Sequence, residues 1–119
     1  MNAISMLQVA VLLFCVTAVG GLVMAAIRLF GKRNPPAWLS MVHGLLAAAA
    51  LTLVAYAAIA VDVPSPAGWA LLLFLGVAAA GAAMNLLWQW KQRPLPVPLM
   101  LGHAAVAVVA LLLLVVAAF

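Results

Sequence analysis

The stretch RNPPAWLSMVH, residues 33–43, has a partial copy in RPLPVPLMLGH, residues 93–103. Arg, Pro, Leu and His recur at the same spacings, first as Arg33, Pro36, Leu39 and His43, then as Arg93, Pro96, Leu99 and His103. The chain holds only two histidines, and these are both of them. Each copy opens beside a few basic residues and runs into a long apolar segment. That pairing of a charged turn with an apolar run decides the fold.

Of the 119 residues, 71% are hydrophobic and 5% are charged, with a mean hydropathy of +1.40. Such a composition belongs to the membrane class. Four apolar runs cover residues 4–30, 37–61, 67–90 and 95–118 approximately. Each exceeds the ~20 residues an α-helix needs to cross a bilayer core. The runs are continuous rather than alternating, which excludes a β-barrel. The sequence therefore predicts an all-α integral membrane protein: one transmembrane domain over residues 1–119, built as an up-down-up-down four-helix bundle.

The net charge of +4 does not point to nucleic acid. Arg28, Lys32 and Arg33 flank the first connection, Lys91 and Arg93 flank the third, and the only acid, Asp62, lies in the second. By the positive-inside rule, loops one and three face the cytoplasm and both termini lie on the far side. The expected location is a bacterial-type inner membrane, crossed several times, with the lipid bilayer as the first partner. No basic leader precedes the first run, so no cleaved signal peptide is expected. Cys15, the single cysteine, is expected to be a buried structural thiol. Trp38, Trp88 and Trp90 near one boundary and Trp69 near the other form an aromatic belt.

A shift of 60 residues aligns the two halves, about 1–59 and 61–119, without a gap. Phe14/Phe74, Gly21/Gly81, Met24/Met84, Arg33/Arg93, Pro36/Pro96 and His43/His103 coincide. The bundle thus carries an internal helix-hairpin pseudo-repeat, with a pseudo-two-fold axis along the membrane normal. Spacings of three, four and seven gather shared positions on one side of each helix. In the second and fourth helices these include His43, Ala47 and Ala50, with His103, Ala107 and Ala110. In the others they are Ala10, Phe14, Ala18, Gly21 and Met24, with Ala70, Phe74, Ala78, Gly81 and Met84. These faces are expected to meet at the axis, with both histidines inward.

An ionisable residue inside a membrane is costly and therefore a candidate for function, although a lone histidine also serves as polar glue between helices. Two at equivalent positions shift the balance. Helices 2 and 4 run parallel and sit on a diagonal of the bundle, about 13 Å apart. That separation keeps the imidazoles from touching and suits a flat metal complex held between them. Counting across the loops puts Met24 and Met84 level with the histidines and Gly21 and Gly81 one turn deeper. The glycines would give a macrocycle room, and Ala47 and Ala107 keep the histidine faces slim. Arg33 and Arg93, with Arg28 as a further candidate, stand where carboxylates of such a group would need cations. Met24 and Met84 are assigned to lining rather than ligation. Asn85 and Gln89 could bond a cofactor or another helix.

This arrangement resembles the haem-binding four-helix core of membrane b-type cytochromes, the cytochrome b and cytochrome b561 type. The residues that carry the resemblance are His43, His103, Gly21 and Gly81. It implies one haem b per chain with His43 and His103 as axial iron ligands near the cytoplasmic side. It further implies electron transfer with a quinone or a membrane redox protein, rather than an enzyme with catalytic residues of its own. The cytochrome b core carries a second ligand pair two heptads further on, where this chain has Tyr56–Ala57 and Val116–Ala117, so no second haem is implied. No Cys-x-x-Cys-His is present for covalent attachment. Two other readings stand beside this one: a structural or accessory small subunit, and a proton or metal transporter that uses the histidine pair. A homodimer is compatible with each.

Overall fold

The computed structural model describes residues 1–119 as four helices and no strand. They are α1 (Ala3–Phe30), α2 (Ala37–Ala60), α3 (Ser65–Met84) and α4 (Val97–Ala118), with a π-helical turn, Asn85–Gln89, continuing α3. All four are long and apolar enough to cross a membrane. At most 22% of any span's apolar window is buried inside the bundle. A helix apolar all round needs an apolar surrounding, and here that must be lipid.

Local sequence sets the helix ends. Asn2 caps α1, its side-chain oxygen accepting from the Ser5 amide at 2.8 Å. Prolines start the other three. Pro36, Pro64 and Pro96 occupy the N-cap positions of α2, α3 and α4 in extended conformations, where a missing N–H costs nothing. The two turns at the same end of the bundle repeat one backbone shape. Lys32 (φ 54°) and Gln92 (φ 53°), 60 residues apart, are the only non-glycine residues at positive φ.

The helices alternate in direction. α1 packs most closely on α2 and α3 on α4, and the two hairpins meet through smaller α1–α4 and α2–α3 contacts. α2 and α4 are therefore diagonal, as the sequence predicts. Gln8 donates to the Ala118 carbonyl at 3.1 Å, bringing the two chain ends to one end of the bundle.

The apolar core fills only the half nearer the termini. Leu7, Ala10, Phe14, Ala50, Val54 and Ala57 meet Ala67, Ala70, Phe74, Ala110, Leu114 and Ala117 there. At its centre Phe14 and Phe74 stack across the axis, ring centroids 3.8 Å apart and planes within 3°. Phe14→Ala should cost about 3 kcal/mol, the usual order for emptying an aromatic core site. A denaturant titration of detergent-purified protein checks this, with the exposed Leu12→Ala nearly neutral. Ala57 and Ala117, the residues at the place of a second ligand pair, lie inside this packed core.

Three expectations need correction. The third run does not stay α-helical to residue 90: the ladder widens to π geometry at Asn85. Ala18 and Ala78 are exposed rather than axial; Thr17 is the buried residue on that turn of α1. Cys15 is exposed. The alanine misplacement has a simple cause, since 60-residue identity also collects lipid-facing alanines that carry no packing information.

Candidate functional site

Beyond the Phe14–Phe74 stack, toward the loops joining α1 to α2 and α3 to α4, no member of the core cluster is found. His43 and His103 occupy that half. Both are partly buried and face each other from the diagonal helices, ring centroids 6.3 Å apart and planes tilted by 49°. The sequence expectation underestimated their approach, because it counted axis separation without the reach of two inward side chains.

Each imidazole rests on a glycine of its own hairpin. A Cβ built on Gly21 would stand 3.1 Å from His43 Cε1, and one on Gly81 would stand 3.1 Å from His103 Cε1. The glycines are thus level with the histidines, and their missing side chains accommodate the rings. The count across the loops was off by about one turn. Met24 pairs instead with Ser40, whose hydroxyl lies 3.5 Å from its sulfur. Met84 is buried and Met24 half-buried, one turn nearer the loops than the glycines. Ala47 and Ala107 are half-buried, a turn deeper than the histidines.

Sequence reasoning missed Thr17. His43 Nδ1 lies 2.9 Å from the Thr17 carbonyl oxygen. A carbonyl only accepts, so Nδ1 carries the proton and Nε2 keeps its lone pair. The Thr17 hydroxyl is turned away, donating to the Leu13 carbonyl at 2.8 Å. Backbone carbonyls leave no mark in side-chain identity, so only the Gly21 position hinted at this contact. The mate of Thr17 is Val77, beside His103. There the imidazole Nδ1 is buried without a hydrogen bond of ordinary geometry. No third histidine, cysteine or carboxylate joins the pair.

The loop end is tied across the two hairpins. Arg28 Nε donates to the Leu95 carbonyl at 2.9 Å, and Gln89 Nε2 donates to the Pro35 carbonyl at 2.7 Å. Pro35 and Leu95 are 60 residues apart, but Arg28 and Gln89 are 61 apart. The π turn accounts for the extra residue, since its i→i+5 bonding takes up one position and brings Gln89 to the place equivalent to Arg28. Asn34 adds two bonds, to the Arg93 carbonyl at 2.6 Å and from the Leu95 amide at 2.9 Å. Arg33 lines a cavity with Arg28 and Lys32; Arg93, exposed, does not line it.

The chain matches no family model, and no curated protein or solved structure is significantly similar to it.

Proposed function

We propose that this protein is a membrane b-type cytochrome that binds one haem b between His43 and His103 and serves electron transfer. The facing imidazoles carry the reading. Two metal–nitrogen bonds of about 2 Å in line, with about 1.1 Å from each nitrogen to its ring centre, separate two centroids by about 6 Å. The observed 6.3 Å is of that size. A ligating histidine ordinarily donates its other ring N–H to a carbonyl or carboxylate, and His43 does so to Thr17. Two imidazoles with no cysteine or carboxylate beside them are fewer than the three or four protein ligands zinc usually takes, but they suffice where a macrocycle supplies the rest.

Bound haem supplies one-electron chemistry. The chain supplies the setting. His43 and His103 would hold the haem iron from opposite sides, which would favour outer-sphere transfer over oxygen binding. Thr17 fixes the tautomer and orientation of His43, and Gly21 and Gly81 let the rings sit against α1 and α3. Arg33 and Arg93 are the proposed partners of the propionates. Loops 31–36 and 90–96, which hold most of the cations, face the cytoplasm in this reading, and both termini lie outside. A quinone or a membrane redox protein completes the electron route, because a single haem in one leaflet does not bridge the bilayer.

An absorption spectrum of detergent-purified protein tests the proposal. It should show a Soret band that shifts to the red on reduction, with sharp α and β bands, at about one haem b per chain. Protein that stays colourless with haem in excess would overturn it.

A further inference from the structure

We infer that the cavity at the loop end of the bundle binds the phosphodiester of an anionic phospholipid. Its volume is about 420 Å³, and Arg28, Lys32, Arg33, Asn34, Gln89 and Gln92 are among its lining residues. Three of these are cations and none is acidic. The only carboxylate side chain, Asp62, follows α2 at the opposite end. Like charges around one space repel, and an anion between them removes that cost.

The donors are held in place by the fold. Arg28 spends Nε on the Leu95 carbonyl, which steadies the guanidinium and leaves its terminal nitrogens free for a fork to phosphate oxygens. Lys32 is set by its left-handed backbone, φ 54°. The Gln89 side-chain oxygen is buried and has no donor. Its amide nitrogen must face the Pro35 carbonyl, so an amide flip does not cure this. A glycerol headgroup carries both the phosphate and the hydroxyls that could meet that oxygen.

Position selects a lipid over a free anion. The cavity lies at the end of four apolar spans, and Trp38 and Trp90 are exposed beside the same two loops. Exposed indoles mark the headgroup level, where basic clusters attract anionic lipid. The inference stands on the cavity and does not depend on haem. Where haem is bound, Arg33 serves a propionate and Arg28 and Lys32 hold the lipid phosphate.

Native mass spectrometry of the full chain, released from detergent with phosphatidylglycerol or phosphatidylcholine at equal concentration, tests it. Phosphatidylglycerol should be retained preferentially. Arg28→Gln and Lys32→Gln should each lower its occupancy at least about fivefold, since each removes a charge-assisted contact to the phosphate. Lys32→Gln is a mild change for the backbone, since Gln92 already holds the same conformation. Lys91→Gln, an exposed cation outside the cavity, should change nothing. Equal retention of the two lipids, or an equal loss in Lys91→Gln, would overturn the inference. So would displacement of the lipid by inorganic phosphate at matched concentration, which would mark a free-anion site. The readout is bound mass, so the outcome is separate from that of the haem spectrum.

Discussion

His43→Ala and His103→Ala are each expected to abolish the low-spin haem spectrum, not merely to weaken it. In the proposed site each of these residues would be one of the two protein ligands to the iron, and no other histidine exists to replace either. Met24 is engaged by Ser40, and Met24 and Met84 stand one turn nearer the loops than the glycines on which the histidines rest. Met24→Leu and Met84→Leu should therefore keep the spectrum. Circular dichroism separates ligand loss from misfolding: the Phe14–Phe74 core lies in the other half of the bundle and should preserve helicity in every variant. A folded histidine variant that retains the parent spectrum would sink the ligand assignment. It would leave a site shared between two chains, or a His/Met site, as the arrangement to examine.

The two rings differ in one respect. His43 has a hydrogen-bonded Nδ1, whereas His103 Nδ1 is buried beside Val77 without a hydrogen bond of ordinary geometry. A buried ring nitrogen without a well-formed hydrogen bond costs about 1–3 kcal/mol, so His103 is the less settled ring. Binding that draws His103 toward the Val77 carbonyl would relieve that cost.

Much of this architecture is legible in the sequence because lipid imposes so few solutions. Continuous apolar runs must be helices, and prolines at 36, 64 and 96 mark where three of them begin. The matched Pro-to-His spacing places the histidines at one depth on parallel helices, and the bundle sets those helices on a diagonal. What the sequence obscures is register between neighbouring helices. Counting residues through a loop assumes its length in space, but each connection turns at a left-handed residue, Lys32 or Gln92, and returns through an extended stretch ending at Pro36 or Pro96, which covers more height per residue than helix. This is why Gly21, rather than Met24, meets His43. The π turn is equally hidden, since Asn85–Gln89 reads as ordinary helix. Only the one-residue mismatch between the Arg28 and Gln89 contacts reveals what it does.

Leucine at position 21 or 81 should lower haem occupancy severely while leaving insertion intact. Leucine is a better helix former than glycine and more favourable in lipid, so neither the helix nor its membrane crossing should suffer. The obstacle is the imidazole. A Cβ alone at Gly21 comes to 3.1 Å of His43 Cε1, and the same distance holds at Gly81 and His103. Alanine therefore asks the ring to yield a few tenths of an ångström, and leucine asks for far more. At Gly21 the displaced ring must also leave the Thr17 carbonyl that sets its tautomer. The expected order in haem content is parent, then Gly→Ala, then Gly→Leu. Displacing a metal-binding histidine from the groups that orient it usually costs about 10- to 100-fold in metal affinity. Val23→Leu, on an exposed face of α1, is the control and should bind haem as the parent does. If haem content were the same in Gly21→Leu, Gly81→Leu and Val23→Leu, the rings that touch these glycines would not be the rings that hold the iron.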